Sequence, residues 1–146
     1  MPEPSRPPLI FADLMAAVGQ VMLHWGYLEI EMLKKLEASG CEQLPRLSPI
    51  QQWRVASKRS PSNVAAWTAE IENAVQIRNL LAHGLVGGHA QPEEGSPRVV
   101  CRDIDGERHT VTYVTLISAA QNLDLLRLRL RREPDDLLRS NPEPSL

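Results

Sequence analysis

Aromatic residues are scarce in this 146-residue chain, at 4% (three Trp, two Tyr, one Phe), and cysteine occurs only twice. With so few rings, any core must be built mostly from Leu, Val, Ile, Ala and Met. Cys41 and Cys101 are too few for a disulfide scaffold or a four-Cys zinc site, and they read as structural thiols in a reducing compartment. The four histidines, His24, His83, His89 and His109, show no paired ligand spacing, so neither a metal nor a cofactor is expected. No apolar run approaches the ~18 residues that cross a bilayer. No basic segment followed by an unbroken apolar stretch marks a leader, and a cytoplasmic protein without a membrane partner is expected. An excess of either charge is also missing: 16 Lys and Arg stand against 18 Asp and Glu, for a formal net charge of −2. Such a chain has no global attraction for nucleic acid, so any such binding rests on a local patch.

What is present is the composition of an ordinary globule, 42% hydrophobic and 23% charged. The length suits one domain, placed at residues 9–132 between Pro-punctuated, flexible tails at 1–8 and 133–146. From Leu9 to Ala38, the positions Phe11, Leu14, Val18, Val21, Met22, Trp25, Leu28, Met32 and Leu36 keep the three/four spacing of a helix with one buried stripe. Ser39-Gly40 ends it. A short helix is predicted from Pro49 to near Arg59. Ser60-Pro61-Ser62-Asn63 reads as a stop and a fresh cap for a third helix ending at His83, with Gly84 behind it. Residues 87–97 form a Gly/Pro/acidic loop. The period then switches to two on either side of Asp105-Gly106, a hairpin signal over about 98–113. Thr115 is placed as the cap of a last helix, Leu116 to Arg132. The fold class expected is therefore mainly all-α: an antiparallel bundle of four or five helices with a β-hairpin inserted before the last.

Two charges fall in apolar arcs when the helices are projected at about 100° per residue. Arg78 lies among Val64, Trp67, Ile71, Ala74, Val75, Leu81 and Ala82, and Glu29 lies within the stripe of Trp25, Leu28, Met32 and Leu36. Pairing of Glu29 with Arg78 across the two long helices is the economical reading, and truncating either would then cost about 3–5 kcal/mol. The alternative is that both carry their heads to solvent at the stripe's edge. Around the third helix, Glu72, Gln76, Asn79 and His83 form a polar row, with Asn79 and His83 one turn apart. Taken alone, His83 is explained by the negative end of the helix dipole.

The segment Arg78-Asn79-Leu80-Leu81-Ala82-His83-Gly84 resembles the Arg–polar–x3–His signature of HEPN-domain proteins. Trp25-Gly26-Tyr27-Leu28-Glu29 resembles the aromatic–Leu–Glu stretch that often opens them. The resemblance covers most of residues 9–132, with the hairpin as an insertion. It implies an HEPN-like bundle and metal-independent RNA cleavage by a homodimer, in a toxin or defence effector with a protein antitoxin or regulator. On that resemblance His83 is the general acid or base, Arg78 stabilises phosphate charge, and Asn79 orients the His or the substrate. Glu29 supports Arg78, while Glu72 and Gln76 are supporting polar residues. Leu85 stands where one toxin subgroup carries a Tyr two residues after the His, so nucleotide modification at that position is not expected.

Arg54, Lys58 and Arg59 could line an RNA groove, and Arg127, Arg129, Arg131 and Arg132 make the last helix locally positive. A charge run on a helix is usually a solvated face, and Trp53 and Trp67 read as packing residues. Two further functions compete with the ribonuclease. One is a non-catalytic HEPN-fold binding or regulatory module in which Arg78 and His83 are structural. The other is a regulator that adds a strand of the 99–113 hairpin to a partner sheet.

Overall fold

The computed structural model describes residues 7–42, 44–61 and 63–139; the expected loose ends 1–6 and 140–146, and Ser62 of the expected cap, lie outside them. Four helices follow in chain order: α1 (Phe11–Ala38), α2 (Pro49–Ser57), α3 (Asn63–Gly84) and α4 (Tyr113–Arg132). Between α3 and α4 stand three strands, β1 (Leu85–His89), β2 (Arg98–Arg102) and β3 (Arg108–Thr112). They form one antiparallel sheet in the order β1-β2-β3. The mainly all-α class is therefore corrected to a mixed one, four helices with a three-stranded sheet. The β2–β3 hairpin stands before the last helix as expected, but it is two-thirds of a larger element. What hid β1 is its composition. Leu85-Val86-Gly87-Gly88-His89 carries two glycines, which disfavour strands. Its pairing with β2 also slips between Leu85 and Gly87, which breaks the period-two pattern.

Local chemistry sets the helix ends. The Asp13 carboxylate accepts from the Ile10 N–H at 2.9 Å, satisfying one of the free donors at the start of α1. Ser48 Oγ accepts from the Gln51 N–H while Gln51 Oε1 accepts from the Ser48 N–H, a reciprocal cap followed by Pro49. The cap of α4 is Thr112 rather than Thr115: Thr112 Oγ1 accepts from the Thr115 N–H at 3.1 Å. Thus β3 runs straight into α4 with no intervening loop.

Along α1, Leu14, Val21, Trp25, Leu28, Met32 and Leu36 are buried, whereas Phe11, at the front of the expected stripe, is exposed. Their chief partner is α4, which turns Leu116, Leu123, Leu126 and Leu130 inward. α3 buries Val64, Trp67, Ile71, Val75 and Leu81; Ala82, expected among them, is exposed. Val99 and Cys101 of β2 and Val111 of β3 extend the core beneath the sheet. Trp53 is fully buried, and its indole N–H donates to Thr68 Oγ1 at 3.0 Å, so the ring packs without stranding its donor.

Residues 133–139 correct the expected loose tail. Leu137 and Leu138 are buried. Lys35, whose side chain is only 3% exposed, donates to the Glu133 carbonyl at 2.6 Å and to Asp135 Oδ1 at 3.3 Å. Ser39 Oγ accepts from the Leu138 N–H at 3.1 Å, and Ser60 Oγ donates to the Leu138 carbonyl at 2.9 Å. A strap is thereby tied across the ends of α1 and α2.

One close approach joins helix to sheet. Gly84 closes α3 and is buried against the backbone of Arg102, and a Cβ there would collide with the Arg102 carbonyl oxygen. Its backbone is not in the left-handed region, so space alone requires glycine.

Two stability effects follow. Gly84→Ala should lower the unfolding free energy by more than about 2 kcal/mol, because the obstacle is backbone and cannot swing aside. Lys35→Ala should cost about 1.5–3 kcal/mol by removing a charge-assisted hydrogen bond in a buried place. Asp135→Ala should cost far less, since that carboxylate is 92% exposed. Urea denaturation of the three variants measures all of these.

Candidate functional site

The last turns of α3 present Gln76, Asn79, Leu80 and His83 on one face, at intervals of three and four residues. Across from them come Arg102 from the end of β2 and Asp103 and Ile104 from the turn that follows. Together these residues line an open groove of about 730 Å³. Asn79 and His83 are exposed, so the imidazole is open to solvent rather than packed within the chain. Gln76, Asn79 and His83 are thus brought into one place.

Arg78 and Glu72 are not. Arg78 is half-buried and outside the groove lining. Its Nη1 donates to Asn79 Oδ1 at 3.0 Å, and its Nε is buried without a hydrogen-bond partner among the described residues. With its oxygen held by Arg78, Asn79 keeps its amide N–H groups for another acceptor. Glu72 continues the same polar row one turn back along α3, where it pairs with Arg54 of α2 and lies outside the groove lining.

Glu29 faces Arg78 without touching it: no ion pair within 4.0 Å joins them among the described residues. Burial pushes the Glu29 carboxyl above its ordinary value, and the Arg78 charge offsets only part of that. The two charges therefore share a partly dry space at more than contact distance.

The hairpin turn holds a constellation that spacing did not reveal. Asp103 Oδ1 accepts from the Asp105 and Glu107 N–H groups at 2.9 and 3.0 Å, and Oδ2 meets His109 Nε2 at 2.7 Å. The hydrogen bond from His109, helped by the two backbone donors, holds the Asp103 carboxyl below its usual range. One ligand atom each of Asp103, Glu107 and His109 lies within 4.8 Å of the others, so two carboxylates and an imidazole could hold a divalent cation there. Strand pairing across the Asp105-Gly106 turn assembles this set, with Gly106 at φ 81°. Its intervals of four and two residues match no helical ligand pattern, and the composition of the turn was its only signal.

Three cations of the two basic helix clusters are committed to carboxylates. Arg127 pairs with Asp124 at 2.8 Å, and Arg129 pairs with Glu70 at 2.8 Å while standing over the Trp67 ring at 4.9 Å. With Arg54 held by Glu72, the exposed cations without an ion pair among the described residues are Lys58 and Arg59 in the first basic cluster and Arg131 and Arg132 at the end of α4.

Compared with protein-family models, curated proteins and solved structures, the chain matches none. Among the described residues, no helix is long and apolar enough to cross a membrane.

The Glu29 environment sets a pH dependence. A carboxyl whose folded value is raised favours the folded state at pH below its unfolded value, and that contribution is lost as pH rises through the folded value. Glu29→Gln should therefore match the wild type in thermal stability below the ordinary carboxylate value of 4.5 and exceed it toward neutral pH. Thermal melts across that range check the sign. A loss of several kcal/mol at neutral pH would instead restore the tight ion pair inferred from helical projection.

Proposed function

We propose that the chain is a metal-independent endoribonuclease of the HEPN type, with His83 as its general acid or base. The observation that carries this reading is His83 standing solvent-open in a groove, one turn from Asn79 and two from Gln76. Imidazole suits the role because it exchanges protons near neutral pH, typically for ~10²–10⁴-fold of rate. In the reaction, a ribose 2′-oxygen forms a bond to phosphorus as the bond from phosphorus to the 5′-oxygen breaks. A base takes the 2′-hydroxyl proton, and an acid gives one to the departing 5′-oxygen. One His83 serves one of these transfers; a homodimer supplies the second. Asn79, its oxygen held by Arg78, offers its N–H groups to a phosphate oxygen or the sugar. Arg78 is then a positioning residue for Asn79, a different part from the phosphate contact that the resemblance implies. RNA is the substrate in this reading, and a toxin or defence effector held by a protein antitoxin is its setting.

A second reading is supported by the half-buried guanidinium of Arg78, set against Asn79 and in the field of Glu29. In it the chain is a non-catalytic HEPN-fold binding or regulatory module, with Arg78 and His83 as architecture.

Purified protein incubated with mixed RNA in EDTA separates the two. The nuclease should leave 2′,3′-cyclic phosphate ends, and a folded His83→Ala should lose at least about 100-fold in rate. Equal cleavage by that variant, or none by a folded wild-type dimer, would sink the nuclease reading.

A further inference from the structure

We infer that the cross-strand pair Arg102 and Arg108 holds a phosphate of the RNA strand beside His83; this rests on the ribonuclease reading above. Arg102 sits directly opposite Arg108 in the β2–β3 register. Like charges directly opposite on one face of a sheet destabilise it, so this pair works against the hairpin that carries it. Both residues are exposed, and neither makes an ion pair or a side-chain hydrogen bond among the described residues. Acidic groups are close at hand, yet none pairs with either arginine among the described residues. The Asp103 carboxylate is taken by His109 and two backbone N–H groups, and Glu107, though next to Arg108 in the chain, makes no ion pair with either arginine among the described residues. The two guanidinium groups are thus left to an outside anion, and a phosphodiester suits their rigid forks.

Position supports the same assignment. Arg102 lines the groove that holds His83, whereas Arg78 does not. The Arg102 backbone is pressed against Gly84, the residue next to His83, so the backbone positions that carry the hairpin cation and the imidazole are fixed relative to each other. The hairpin therefore gives the groove the cation that α3 does not, and a phosphate held there places the neighbouring ribose along the wall of Asn79 and His83.

The test is binding of a short fluorescent single-stranded oligoribonucleotide carrying 2′-O-methyl groups, which cannot be cleaved through the 2′-oxygen. Wild type, Arg102→Gln, Arg108→Gln and Arg131→Gln are compared over a range of salt concentrations. Arg102→Gln should weaken binding roughly tenfold or more, and Arg108→Gln should weaken it in the same direction. The slope of log affinity against log salt should become shallower by about 0.7 for each arginine removed. Arg131→Gln, which removes an exposed charge at the end of α4, should bind as wild type does. Relief of the like-charge pair should leave both hairpin variants at least as heat-stable as wild type, so weak binding cannot be put down to unfolding. Wild-type affinity and salt slope in Arg102→Gln would overturn the inference and leave the His83 cleavage assay standing. Equal weakening by Arg131→Gln would reduce the effect to overall charge and also overturn it. Absence of binding by the wild type would overturn the inference together with RNA as the substrate.

Discussion

The approach of Gly84 to the carbonyl of Arg102 is the constraint on which the arrangement of this molecule depends. α3 ends on Gly84 and β1 starts at Leu85, so no loop takes up error between helix and sheet. The missing side chain lets β2 come within backbone contact of the helix terminus. That contact decides where the hairpin stands relative to the last turn of α3, and so whether there is a groove at all. His83 from the helix and Arg102 from the strand share a wall because the two backbones touch one residue away.

Charge is distributed in a way that contrasts with this tight joint. Among the described residues the most deeply buried cation is Lys35, satisfied by a main-chain carbonyl of the strap that carries Leu137 and Leu138. Glu29 and Arg78 occupy the interface of the two long helices less completely, one carboxyl unsettled by burial and one guanidinium turned toward Asn79. A buried charge with a full hydrogen-bond set fixes local geometry; a half-buried one without contact leaves it adjustable. The contrast separates the clamped strap end of α1 from the looser interface behind the candidate site.

The helices were legible in the sequence because periodic burial is a local pattern: α1, α3 and α4 each repeat their apolar positions at three and four residues. The Asp105-Gly106 turn was legible for a similar reason, since a turn at φ > 0 restricts its own composition. β1 was not, because its two glycines and the slip in its register hide a strand whose partner, β2, lies about ten residues on. The strap was hidden likewise: Lys35 has no partner within its own helix turn, and its carbonyl acceptor lies 98 residues on. At the site, helical spacing grouped Gln76, Asn79 and His83, but it could not show that Arg78 turns away or that Arg102 joins them.

The helices that pack most closely, α1 and α4, are also the first and last in chain order. Contacts between distant parts of a chain are slow to form, because a long loop must close before they yield any stabilisation. While only α1 to α3 have left the ribosome, the inward face of α1, including Val21, Leu28 and Met32, lacks the helix that covers it. The fold therefore completes only when α4 and the strap behind it have emerged. Until then the apolar stripe of α1 stands uncovered, a surface prone to association.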